Sequence, residues 1–388
     1  MANADFREWD ALAGDPERLL AAIADSLRAE ARFQELFEAL QLRCRHELGL
    51  PLVGNVDLDP LAPAVRAEFD RRFREDCRCV GELLIQRGDL VDAWPYFQAI
   101  QEPGPIATAL DAWQPGPETS QEEIAQLIQI GFGLGVNPVR AYQLLLQSGG
   151  TCDGIHLIEQ RFPFGPKVRE QCVDLLVAQL YREVCSGLER DLPTTGVGTA
   201  PRAYLADWID RHATDVQGRM CPVDDSHLQA VIRFSLASRS RPTLECAREL
   251  ADFGTRLDAS YQRRETPPFE DFYRDYAVLL GGVTGHIGAA EAEAHFARKL
   301  DGVHGADVRF AAEVLVFLLD RMGLPARALH YFERHLLAPG RSLSLAPALA
   351  DLCSAAGDYR LLRETAASAG NLARYTAALL ADTTRRGP

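Results

Sequence analysis

The chain lacks most of the short signatures by which an enzyme or a metalloprotein announces itself. No G-x-S-x-G, H-E-x-x-H or C-x-x-C is present, so the common serine-hydrolase, zinc-protease and dithiol chemistries have no local motif to stand on. No stretch alternates apolar and polar residues long enough to make a half-buried strand, which argues against a sheet. The longest apolar run, around Val314–Leu319, is too short to span a bilayer. The opening MANADFREWDALAGD has neither a basic nor an apolar region of the kind that directs secretion. Basic charge is in deficit: 41 Lys and Arg face 55 Asp and Glu, a formal charge of −14. That balance excludes nucleic acid as the expected partner, since a phosphate backbone needs a basic face, and it disfavours acidic lipid surfaces. The nine cysteines are scattered without framework spacing. They read as reduced thiols in a cytoplasmic protein.

What is present is helical punctuation. With 388 residues, 47% hydrophobic and 25% charged, the chain has a folded composition and exceeds one ordinary domain. Two helices are expected within 15–48, the second carrying Phe33, Leu36, Phe37 and Leu40 on one side. Pro63 suits the first turn of a third, whose mixed-charge run Arg66–Arg78 reads as a solvated face. Ser120 with Glu123 has capping-box spacing before Ile124, Leu127 and Ile128. Asn137-Pro138 opens a helix ending at Gly149-Gly150, and Thr151 is placed to cap the next. Val168, Val173, Leu176, Leu180 and Val184 stripe a strong helix over 166–190. LPTTGVGTAP (192–201) reads as a linker. Helices are expected near 201–213, 225–238, 242–254, 268–281 and 288–300.

The stretch Cys77–Pro105 organises this reading. Val80, Leu83 and Leu84 fall at helical spacing, and Arg87-Gly88-Asp89 breaks the run. Gly88 suits a left-handed turn and Asp89 a cap. Ala93, Phe97 and Ile100 mark a second stripe, closed by Pro103 and Pro105. This stretch resembles a tetratricopeptide repeat, with Gly81, Ala93, Phe97 and Pro105 at the small, alanine, aromatic and proline places of that pattern. Cys77 stands where the family prefers tryptophan. Pro95 lies inside the second helix, where it is tolerable only within the first turn. The frame returns around Gly323, Ala328 and Phe332, and more loosely at Gly357-Asp358-Tyr359 with Leu362 and Ala366. The resemblance covers about a quarter of the chain. It implies an all-α array of antiparallel helix hairpins, a solenoid or a compact α/α superhelix. It also implies a binding module that holds a protein or peptide in a concave groove. The expected regions are 1–117, 118–191, the linker 192–201, 202–304 and 305–388.

A second class of function rests on titratable residues outside the repeat-like ends. Cys152 and His156 lie at i and i+4, so they share a helix face. A thiol at a helix start is a candidate nucleophile with the imidazole as its base, or the two are ligands of a divalent metal such as zinc. Asp225 and His227 open the helix after CPVD, with Asp224 or Asp225 as its cap. Should the two helices face each other, Cys152, His156, Asp225 and His227 would form a metal or catalytic site for a small-molecule substrate. Each residue also has a plain structural reading, as a packed thiol, a cap or a surface imidazole. Glu270, Asp271 and Asp275 cluster, but without the spacing of a magnesium-diphosphate motif. Acidic residues after Pro267-Pro268 are expected from the helix dipole alone. Tyr273 and Tyr276 could line a groove, and His295 falls in an ordinary amphipathic helix. A purely structural role in a larger assembly would instead require an extended apolar surface patch.

Overall fold

The computed structural model describes residues 6–54, 61–160, 162–191, 205, 221–337 and 342–386. Among these the protein is all-helical with no strand. No described helix is long and apolar enough to cross a membrane. The chain forms two compact units, 1–150 and 151–388. Their border falls inside the expected 118–191 region, at the glycine pair already read as a helix end. The expected linker 192–201 and the helix at 201–213 lie outside the described residues, apart from Leu205.

The first unit runs through α1 (Pro16–Ala29), α2 (Phe33–Glu47), α3 (Pro63–Arg87), α4 (Leu90–Ala99), α5 (Gly104–Ala112) and α6 (Gln121–Ile128). Helices α1 to α5 pack serially, each on the next. Asp15 caps α1 and Ser120 caps α6, each side chain accepting a backbone N–H of the first turn. The hairpin α3–α4 turns at Gly88, which takes the left-handed conformation (φ +89°), where a Cβ would be strained. Leu36, Val80, Ala93, Phe97 and Ile106 are sealed in its core. Gly81 lets α3 and α4 approach closely, because a Cβ there would sit 2.5 Å from the Phe97 ring. Pro95 departs from expectation: it is the sixth residue of α4, beyond the first turn. It therefore leaves the Val91 carbonyl without its usual i+4 donor. The charge run on α3 is solvated as expected, with Arg71 bridging Glu68 and Glu75. α6 runs into a π-turn, Gln129–Gly133. Then α7 (Pro138–Glu159) breaks at Gly150, whose φ of +75° and ψ of −168° are not helical.

In the second unit the array continues as α8 (Pro166–Asp191), α9 (Asp225–Ser235), α10 (Arg241–Gly254), α11 (Phe272–Thr284), α12 (Ala289–Gly302), α13 (Asp307–Arg321), α14 (Pro325–His335), α15 (Leu349–Ala356), α16 (Arg360–Ser368) and α17 (Leu372–Arg386). Most of these helices also pack on their neighbours in sequence. Val173, Leu176, Leu180 and Val184 of α8 are all fully buried, and α8 packs against α9 and α10. α13 carries the longest unbroken buried run among the described residues, every residue from Ala311 to Leu319. The one charge in that stretch, Glu313, is satisfied by the loop before α15. It accepts from the Ser344 N–H (2.7 Å), the Ser344 hydroxyl (2.8 Å) and the Leu345 N–H (3.1 Å). α11 begins at Phe272 rather than 268, because the Asp275 carboxylate takes the Asp271 N–H (2.9 Å) and makes Asp271 the residue before the first turn.

Candidate binding groove

A concavity lies in the first unit, between α2 and α4 with α3 beneath. It is open and about 800 Å³ in volume, the upper range for a site that takes a ligand or several side chains. It runs along α3 from Phe73 to Arg87, roughly 21 Å at 1.5 Å per residue. Three rings, one from each helix, meet on its floor. Phe37 lies edge-on to Tyr96 of α4 (5.2 Å between centroids) and to Phe73 of α3 (5.9 Å). All three are half-buried, so their free faces line the groove.

The groove's charge is one-sided. Its one guanidinium, Arg87, is already engaged: it lies over the Phe33 ring, 3.2 Å from the Asp89 carboxylate, and donates to the Ala31 carbonyl. Glu38 and Asp92 have no ion-pair or hydrogen-bond partner among the described residues. Both stand near Tyr96. Burial, and then the charges of Cys77, Asp92 and Glu38, push its phenol above the ordinary tyrosine pKa. Asp92 and Tyr96 share a face of α4 at i and i+4.

A second hollow of about 190 Å³ lies between α2 and α3 and is lined by Arg43, Glu47, Arg71, Arg72, Glu75 and Asp76. Its arginines are taken up by carboxylates within the protein, Arg72 by Glu47 and Glu68 and Arg71 by Glu68 and Glu75. Burial pushes Asp76 up to about 6, with the Gln41 amide donating to it (2.8 Å). Little charge is left there to receive a ligand.

The residues singled out from sequence, Cys152, His156, Asp225 and His227, lie in the second unit. Among the described residues no group of three or more His, Cys, Asp or Glu is placed to hold a metal ion. Cys152 and His156 are exposed, and the His156 Nε2 meets the Gln160 amide (2.8 Å). Thr151, expected to cap, is buried and donates its hydroxyl to Glu183 (2.8 Å). Asp224 caps α9 by accepting the Ser226 N–H (2.8 Å). Asp225 turns to Arg263 (3.3 Å), and His227 is half-buried. Tyr273 and Tyr276 line no groove, since both are buried under the packed helices.

What sequence reasoning missed is a buried charge cluster joining α11 and α12. The Asp275 side chain is 1% exposed, and its Oδ1 meets His295 Nε2 at 2.8 Å. Its Oδ2 meets Lys299 Nζ at 2.8 Å, and Lys299 also reaches Glu270 at 2.5 Å. Burial works against the Lys299 ammonium, but its hydrogen bonds to Asp275 and Glu270 outweigh that and raise its pKa. A signal existed. Phe272, Asp275, Tyr276 and Leu279 fall at i, i+3, i+4 and i+7, as do Ala292, His295, Phe296 and Lys299. Charges of opposite sign therefore sit in the apolar stripes of consecutive helices. With every carboxylate oxygen of Asp275 occupied, the cluster ties two helices together.

At the end of the array α17 presents Leu372 (76% exposed), Tyr375, Leu379 and Leu380 to solvent. No family model matches the chain, and no curated protein and no solved structure is similar enough to count as a match.

Proposed function

We propose that this chain is a helical-repeat binding module and that the groove between α2 and α4 holds a protein or peptide segment. The observation that carries this reading is the open, aromatic-floored groove itself, about 800 Å³ and flanked by carboxylates without partners. Apolar rings exposed in a concavity lower the free energy of whatever covers them, at about 25 cal/mol per Å² of apolar surface removed from water. The α3–α4 hairpin supports the link to tetratricopeptide modules, because Gly81, Ala93 and Phe97 occupy the packing roles the resemblance assigns them. Lining by side chains from three successive helices also fits a partner longer than a metabolite.

The test is a random 12-residue peptide display library selected on the full chain. Peptides that bind should lose binding to the Gln34→Trp/Ala99→Trp variant, which fills the groove from two exposed positions without changing charge. If every selected peptide binds that variant as well as the parent, the groove is not the site.

A further inference from the structure

We infer that the groove selects a basic segment, one whose lysine or arginine lies on the Phe37–Tyr96 rings between the carboxylates of Glu38 and Asp92. The inference rests on the groove being the binding site and goes on to name the chemistry of its occupant. The argument is charge complementarity at an apolar floor.

Three carboxylates, those of Glu38, Asp89 and Asp92, line the groove against the single guanidinium of Arg87. The Asp89–Arg87 pair leaves Glu38 and Asp92 as the two charges without counterions. They come from opposite walls, α2 and α4, and their fields meet at Tyr96. A neutral or acidic segment lying there would cover two carboxylates without compensating them, which is costly once water is displaced. A cationic side chain reverses the sign of that cost. Its charged head forms charge-assisted hydrogen bonds to the carboxylates, and its aliphatic stem covers the ring faces. The rings add a cation–π attraction of their own. The half-buried Phe73 ring beside Phe37 offers apolar floor for a neighbouring aliphatic or aromatic side chain of the same segment. The occupant is thus a short amphipathic basic segment of a partner protein, not an acidic peptide or a nucleic acid.

The experiment compares three forms of the full chain against the peptides selected above: the parent, Glu38→Gln/Asp92→Asn, and Gln34→Trp/Ala99→Trp. Both carboxylate positions are exposed, so the neutral isosteres leave the core untouched. The inference expects groove-dependent peptides to be enriched in Lys or Arg. It also expects the carboxylate double variant to bind them at least tenfold more weakly, with most of the difference gone in 1 M salt. Groove-dependent peptides that are neutral or acidic, or that bind the carboxylate variant as tightly as the parent, overturn the inference and leave the groove reading standing. Peptides indifferent to the tryptophan pair overturn both.

Discussion

Truncating Asp275 to alanine should be among the most damaging single changes in the second unit. The carboxylate is 1% exposed and serves three donors, His295 Nε2, Lys299 Nζ and the Asp271 N–H, at 2.8, 2.8 and 2.9 Å. Removing it strands a lysine whose side chain is 18% exposed, leaving Glu270 as its carboxylate partner. Breaking a buried charge pair from one side costs about 3–5 kcal/mol, mostly because the remaining charge is left without compensation. The three hydrogen bonds, at ~1.5–3 kcal/mol for each bond involving a charged group, give a higher ceiling, about 4.5–9 kcal/mol if they added fully, so the pair figure is the lower of the two. Amide hydrogen exchange across α11 and α12 is the suitable assay, since it reads this helix pair without requiring the whole chain to unfold as one step. A loss of that size lowers protection by roughly a hundredfold to several thousandfold where exchange reports the opening. Adding Lys299→Met should recover part of the loss, because the largely buried ammonium that has lost one of its two carboxylates goes with it. A protection change below tenfold in Asp275→Ala, or no recovery in the pair, would refute the account of this cluster as a charge-balanced tie.

Three other outcomes follow from equally local features. Asp76→Asn should stabilise the first unit by about 1–2 kcal/mol at pH 8, a figure already discounted because the carboxylate is partly solvated. A folded value raised from 3.8 to about 6 means that the protonated-state advantage is present below the ordinary aspartate value and lost as pH rises through 6. Urea unfolding should therefore separate parent and variant at pH 8 and not near pH 3.5. Gly81→Val should cost at least ~1–3 kcal/mol, because its Cβ would meet the fully buried Phe97 ring at 2.5 Å; the same change should weaken groove-dependent peptides, and unchanged thermal stability would count against the close α3–α4 approach. Glu313→Ala removes the one carboxylate oxygen that accepts three donors from Ser344 and Leu345 and leaves them without that acceptor. About 1–3 kcal/mol should be lost, read as faster exchange at those two amides.

Much of the helix inventory was legible because it depends on neighbours in sequence. Period-3.6 stripes, Ser120 and Asp224 as caps, Gly88 and Gly357 as left-handed stops and the break at Gly149-Gly150 all act within a few residues, and each stands where the pattern puts it. Where local logic failed, a distant partner had intervened. Thr151 gives up its capping role for Glu183, thirty-two residues away. Asp275 is no dipole-serving surface acid, because α12 brings His295 and Lys299 to it. Pro95 survives beyond the first turn of α4, where it lines the groove and is exposed.

The sequence by itself determined that this protein is an all-α array, since helix period, caps and breakers are encoded one turn at a time. It also determined the acidic balance of the chain. Tertiary structure alone decided which charges are exposed, paired or buried, and which of the apolar positions stay open. Phe37, Phe73 and Tyr96 belong to three separate helices, and only the packing of those helices brings them to one floor. Cys152, His156, Asp225 and His227 read as a candidate set, and among the described residues no group of three or more such side chains is placed to hold a metal ion. Pairing between side chains far apart in the chain is set by how helices pack, and helical period carries no record of it.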